Sequence, residues 1–270
     1  MSSFIAAAIQ LNSQPDIENN LDSARKWVRN AAREGAVFIG LPEHFAWLGD
    51  ENGRLELAGE ISDHAETVLA EWAREFGVYL LGGGYPVPSK SGRVFNRASL
   101  FNPSGEKVLE YNKMHLFDVE LSREERYLES GVVEAGSDVP PVYDAGRLAR
   151  IGLSICYDVR FPEFYRKLAA DGAELLTVPS AFTRPTGRAH WEVLLRARAI
   201  ENTSFVLAPA QTGRHGKNRY TYGHSLIIDP WGAILADGGE EPGMITAEID
   251  LNRLEKVRKK LPSLKHRQLL

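Results

Sequence analysis

A chain of 270 residues, 43% of them hydrophobic, can bury a sizeable core as one large unit or two small ones. Its formal charge of −4 gives no electrostatic case for nucleic acid or an anionic membrane. A single cysteine excludes intramolecular disulfides and cysteine-rich zinc or iron–sulfur centres.

Phe4–Leu11 reads as a strand. That apolar run lacks a basic leader and is too short for a signal-peptide core with a cleavage site. Nor does any window approach the ~20 apolar residues of a membrane span, so a soluble, cytoplasmic protein is expected. Asn20–Arg33 has helical spacing at Leu21, Ala24, Trp27, Val28, Ala31 and Ala32, and Gly35 stops it. Val37–Leu41 is the next strand. A helix over Ala65–Phe76 then leads through Gly77 to the strand "VYLLGG", and two more strands turn at "NPSG". Gly82, Gly83 and Gly84 end a strand without opening a helix, so they form no phosphate loop.

After Arg147 the order recurs. "ARIGLSIC" is a strand, Pro162–Asp171 a helix closed by Gly172, and "ELLTVP" a strand. His190–Glu201 is a helix, "SFVLAPA" a strand, and a last pair turns at "DPWG". "EGAVFIGLPE" from Glu34 matches "DGAELLTVPS" from Asp171 in pattern, and the two turn tetrapeptides occupy corresponding places. Alternating βα units imply parallel strands with covering helices, and the hairpins add antiparallel pairs. Two such halves bury their bare faces sheet on sheet. The expected fold is therefore α/β, an α-β-β-α sandwich of two sheets with pseudo-twofold internal symmetry, built as a single domain over residues 1–270.

Ligands gather beyond the carboxyl ends of strands in such sheets. Cys156 stands there, where "RIGLSICYDVRFPEF" runs out into a turn, and so does Glu43 after Pro42. Lys113 follows the first hairpin. Each has an ordinary alternative: a packed thiol, a solvated loop carboxylate, a snorkelling lysine. Together they supply what amide hydrolysis by a thiol requires. A carboxylate takes the thiol proton, passes it to the departing amine and then activates water. An ammonium stabilises the oxyanion, with a backbone N–H near Tyr157, and favours thiolate.

This Glu, Lys and Cys in chain order resemble the triad of the nitrilase superfamily, the carbon–nitrogen hydrolases. The resemblance covers nearly the whole chain, through "LPEHF", "YNKMHLFD", "ICYDVRFPE", "AHWEVLLRARAIEN" and "YGHSLIIDPWG". It implies the sandwich inferred above, with neither metal nor organic cofactor. It also implies a second catalytic glutamate after the lysine. Among Glu120, Glu124, Glu125 and Glu129, the last resembles that residue most closely. "CYD" is similar to amidase-like branches, implying hydrolysis of an amide to acid and ammonia through a thioester on Cys156. The longer stretches resemble the deaminated glutathione amidases and ω-amidases, a metabolite-repair role.

Such a small-molecule amide carries carboxylates at both ends, and the expected rim is rich in arginine. Arg160 could grip an oxo-acid carboxylate, or pair with Asp158 or Glu163 to brace the turn. Arg184, Arg188, Arg214 and Arg219 could meet the far carboxylate, and Thr186 lies among them. The histidines at 44, 64, 115, 190, 215, 224 and 266 lack the spacing of a metal site. His190 and Trp191 pack at a helix start or wall the pocket. His44 stands where relatives often carry a smaller side chain. No nucleic-acid or membrane partner is expected, and a homodimer or larger homo-oligomer is the default. Rival substrates are 2-oxoglutaramate and N-carbamoyl amino acids, and the rival of another class is a silent binding protein on the same fold.

Overall fold

The structure, a computed structural model, describes residues 3–122, 126–216 and 219–268. The first half runs β1 (Ser3–Gln10), α1 (Ile17–Arg33), β2 (Ala36–Gly40), α2 (Glu51–Glu56), α3 (Ala58–Phe76), β3 (Tyr79–Pro88), β4 (Val94–Phe101) and β5 (Lys107–Asn112). After a small hairpin, β6 (Asp118–Glu120) and β7 (Arg126–Leu128), come β8 (Tyr143–Asp144) and β9 (Arg150–Leu153). Next are α4 (Pro162–Ala170), β10 (Leu175–Thr177), α5 (Arg184–Thr186), a π turn over Gly187–Trp191, α6 (Glu192–Asn202) and β11 (Phe205–Ala208). The second half closes with β12 (Thr212–His215), β13 (Arg219–Tyr222), β14 (Leu226–Ile228), β15 (Ile234–Asp237), β16 (Gly243–Asp250) and α7 (Leu251–Lys260).

Two six-stranded sheets result, ordered β16-β1-β2-β3-β4-β5 and β15-β14-β11-β10-β9-β8. In each, three parallel strands with helical crossovers are followed by two antiparallel ones, β4 and β5 in the first, β14 and β15 in the second. An antiparallel edge strand completes both, β16 against β1 and β8 against β9. The expected pseudo-twofold is thus reproduced strand for strand. The turns at "NPSG" and "DPWG" match as well: Gly105 and Gly232 take φ of +81° and +87°, where a side chain would be strained.

Strand alternation explains the layering. Phe4, Ala6, Ala8, Phe38 and Leu81 share a core with Ile151, Leu153, Leu175 and Leu207 of the other sheet. Their neighbours Ala7, Ile9, Ile39 and Leu80 face the opposite way, onto Leu21, Val28, Leu69 and Trp72 of α1 and α3. Leu168, Leu195 and Ala199 of α4 and α6 cover the far side of the second sheet. Small side chains allow close approach between sheets: a Cβ on Gly40 would lie 2.7 Å from Leu207 Cδ2. Among the described residues no helix is long and apolar enough to cross a membrane.

Several boundaries differ from expectation. The strand through Ile151 ends at Leu153, and Cys156 opens a 3-10 turn, Cys156–Arg160. The Asp158 carboxylate accepts the Ile155 N–H at 2.8 Å, which pulls the chain out of the ladder although the run stays apolar. Helix α1 begins three residues early because Asp16 caps it, accepting the Asn19 N–H at 3.1 Å. The expected helix at His190 is continuous with α5 through the π turn, and Trp191 buries its ring while its Nε1 donates to the His224 carbonyl at 2.7 Å.

Candidate active site

Three strand ends deliver the candidate residues to one cavity. β2 leads through Pro42 to Glu43, β5 leads directly to Lys113, and the turn after β9 presents Cys156. Cys156 has φ +46°, a left-handed conformation that costs a non-glycine residue of order 1–3 kcal/mol. Its N–H donates to the Pro179 carbonyl at 3.0 Å, tying it to the end of β10. The glycines of β3 have a steric reason: a Cβ on Gly83 would lie 2.4 Å from both the carbonyl carbon and oxygen of Pro42. Only glycine lets β3 pass so close to the segment that carries Glu43.

At the floor, Lys113 Nζ donates to Glu43 Oε1 at 3.1 Å and to Glu129 Oε1 and Oε2 at 3.1 and 2.9 Å. All three are buried. Asn96 Nδ2 spans the same two carboxylates, 2.9 Å from Glu43 Oε1 and 3.3 Å from Glu129 Oε1. Glu43 Oε2 accepts the Ala181 N–H at 2.9 Å, and Glu129 Oε2 accepts the Phe117 N–H at 2.7 Å. Burial raises the pKa of Glu43, but the adjacent Lys113 ammonium, a hydrogen bond from the Cys156 thiol and the Arg219 charge more than offset it, so the carboxyl sits below its ordinary range. Glu129 behaves likewise, burial being outweighed chiefly by Lys113. For Lys113, burial opposes the charge while Glu129 and Glu43 favour it, and the net effect is upward. Burial, then the Glu43 carboxylate, push the Cys156 thiol well up. At neutral pH the cluster holds two carboxylates, one ammonium and a neutral thiol within hydrogen-bonding reach of Glu43.

Glu43, Lys113, Glu129 and Cys156 all line this one cavity. Tyr157, Phe182, Phe117 and Tyr127 wall it with rings, and Thr183 and Thr186 add hydroxyls. His44, Glu51, Arg54 and Arg219 complete it. Tyr157 follows Cys156 in the first turn of a helical segment, where amides lack intrahelical acceptors. Among the described residues no group of three or more His, Cys, Asp and Glu side chains is placed to hold a metal ion.

The arginines expected at the rim are distributed otherwise. Arg160 lies behind the aromatic wall, its guanidinium 5.4 Å from the Phe182 ring centre and 3.3 Å from His190 Nδ1, and it does not line the cavity. It braces neither Asp158 nor Glu163: Asp158 is fully buried and accepts from Tyr111 Oη at 2.9 Å and meets His115 Nδ1 at 2.7 Å. Arg184 pairs with Glu240 at 3.4 Å beside a separate surface hollow that Arg214 also lines, and exposed Arg188 lines neither. Arg219 alone of the far group reaches the cavity. Glu120 is exposed on β6, while Glu124 and Glu125 lie outside the described residues.

Asn96, Arg54 and the Ala181 N–H escaped the sequence reading. Asn96 left a signal, a polar side chain at an inward position of the apolar strand "VFNRASLF". Arg54 left none, because "DENGRLE" reads as a solvated face.

A family model for carbon–nitrogen hydrolases matches residues 5–259. A deaminated glutathione amidase of Synechocystis sp. is 50% identical over 269 residues, 99% of each chain. An omega-amidase, NIT2-A of Xenopus laevis, is 36% identical over 269 residues, 99% of this chain and 96% of that one. The crystal structure of the Caenorhabditis elegans NitFhit protein superposes with a TM-score of 0.94 at 39% identity, covering 99% of this chain and 66% of that chain. The chain belongs to the carbon–nitrogen hydrolase family.

Proposed function

We propose that this amidohydrolase cleaves the ω-amide of a deaminated γ-glutamyl unit, with deaminated glutathione as its substrate. The observation that carries the reading is the buried Glu43–Lys113–Glu129 cluster beside the Cys156 thiol, all four lining one cavity. The 50% identical deaminated glutathione amidase supports the choice of substrate.

The thiol is neutral at rest, so Glu43 takes its proton as sulfur attacks the amide carbonyl carbon. The carbonyl π bond becomes an oxyanion held by Lys113 Nζ and the Tyr157 N–H. Glu43 then gives that proton to the amide nitrogen, the C–N bond breaks, and a thioester remains on Cys156. Glu43 next takes a proton from water, whose oxygen attacks the thioester. Collapse releases the acid, and the proton returns to sulfur. Glu129 holds Lys113 charged and in place throughout. With deaminated glutathione the leaving amine is Cys-Gly, and ammonia leaves only from a primary amide.

One observation favours a second reading. Arg184 and Arg188, expected at a distal carboxylate, stand away from the cavity, which suits the smaller 2-oxoglutaramate. The test compares Cys-Gly release from deaminated glutathione with ammonia release from 2-oxoglutaramate, for wild type and Cys156→Ala. Preference for the peptide substrate, abolished in the variant, is expected. Equal or faster turnover of 2-oxoglutaramate selects the ω-amidase reading, and unchanged activity in the variant refutes the nucleophile.

A further inference from the structure

The cavity contains two guanidinium groups that the chemical steps above leave unused. Arg54, on the cavity face of α2, is only 5% exposed. Its side chain has a 3.5 Å contact from Nη2 to His44 Nε2 and takes part in no ion pair among the described residues. Arg219, opening β13, has a buried Nε without a hydrogen-bond partner among the described residues. Lys113 bridges both catalytic carboxylates, and burial keeps His44 neutral. Glu51, the remaining carboxylate that lines the cavity, attracts both guanidinium groups but forms an ion pair with neither among the described residues. The two arginines also repel each other across the cavity. A guanidinium in a cavity wall whose carboxylate neighbours lie beyond ion-pair distance keeps donors to spare, and a substrate anion can fill them. A guanidinium offers a planar fork of donors that matches a carboxylate.

We propose that Arg54 and Arg219 form the receptor for a carboxylate on the acyl portion of the substrate, selecting ω-amides of dicarboxylic acids over neutral amides. This rests on the amidohydrolase reading and deepens it. The acyl carboxylate is the feature that deaminated glutathione and 2-oxoglutaramate share. It stays in the cavity through both half-reactions, whereas a leaving-group carboxylate departs after the first. The arginines expected from the sequence, Arg160 and Arg184, are occupied by His190 with the Phe182 ring and by Glu240 respectively.

The test measures kcat/KM for glutaramate, its neutral counterpart valeramide, and N-valerylglycine, which carries the carboxylate on the leaving group. Wild type, Arg54→Gln and Arg219→Gln are compared. Truncating one member of a buried charge pair costs binding heavily, so the glutaramate-to-valeramide ratio should fall by at least about 30-fold in each variant. Taking the ratio cancels any effect of Arg54 on Glu129 that slows all substrates alike. A ratio unchanged within about threefold, or wild-type preference for N-valerylglycine over glutaramate, overturns the proposal. Glutarate binding to Cys156→Ala protein, with and without Arg54→Gln, separates the two readings. Arg54-dependent glutarate binding without turnover of any amide upholds the receptor and refutes the hydrolase reading. Hydrolysis without anionic preference does the reverse. Should Arg54→Gln fail to fold, Arg54→Lys and Arg219→Gln carry the same comparison.

Discussion

Replacing Lys113 with Met removes the one ammonium that Glu43 and Glu129 share. The volume is nearly kept, so the loss is electrostatic. Two unit charges ~5 Å apart at an effective dielectric near 20 repel by about 3 kcal/mol. Breaking a buried ion pair by removing one partner costs about 3–5 kcal/mol in all, and a loss of that size at pH 7 is the expectation. In wild type both carboxyls lie below their ordinary pKa, so they stabilise the fold above pH ~4.3 and that contribution fades as pH falls through their native values. Without the ammonium, burial and mutual repulsion raise both, and the fold is penalised increasingly as pH climbs through those raised values. The difference between the proteins should therefore be large at pH 7 and shrink toward pH 4. Urea unfolding followed by circular dichroism across that range reads it directly. Adding Glu129→Gln to Lys113→Met should recover part of the loss at pH 7. A pH-independent difference, or none, would refute the assignment of charge to this cluster, whatever happened to activity.

Cys156→Gly should be more stable than Cys156→Ala by about 1 kcal/mol, because φ of +46° suits glycine and strains alanine. Equal thermal midpoints would remove the strain argument. Gly83→Ala should destabilise by about 1–3 kcal/mol and depress activity by moving Glu43, since its Cβ meets Pro42 backbone at 2.4 Å. Gly59→Ala, with open space around its Cβ inside α3, should stabilise by about 0.5–1 kcal/mol in the same urea titration. Alkylation of the free enzyme by iodoacetamide should show no inflection near the ordinary thiol value of ~8.5, because the Cys156 thiol is held well above it. The rate should fall on the acid side as Glu43 protonates, below the ordinary carboxylate range; an inflection near 8.5 would mean that Lys113 outweighs burial and Glu43.

The repeat was legible because it rests on backbone requirements: parallel strands need crossovers, and "NPSG" and "DPWG" each need a glycine at positive φ. Glu43, Lys113 and Cys156 were legible because strands deliver them to one rim, and they do meet in one cavity. The turn at Cys156 was not, since Ile155 continues the apolar pattern and only the Asp158 side chain ends the strand. Arg160 misled for a related reason. Its place in the turn just past Cys156 suggested the cavity, but the 3-10 geometry of that turn carries it behind Tyr157 and Phe182. Arg54 was hidden by composition, because a buried arginine in a charged helix looks the same as a solvated one until its neighbours are known.

The site lies across the seam between the two halves, and each half alone is chemically incomplete. The first supplies Glu43 and Lys113, and the second supplies Cys156. At the positions the repeat equates, Glu43 has Ser180 as its counterpart, so the symmetry is kept by the backbone and broken by the chemistry. Hydrogen bonds join the halves at the reacting groups. Ala181, next to that Ser180, donates its N–H to Glu43 Oε2. Tyr111 of β5, two residues before Lys113, donates to Asp158, the carboxylate that shapes the Cys156 turn. The strained backbone of Cys156 is thus braced by the strand that delivers the ammonium. A displacement of one sheet against the other would carry the nucleophile away from both base and ammonium, which is why the packed core of Phe38, Leu81, Leu153 and Leu207 is part of the catalytic geometry.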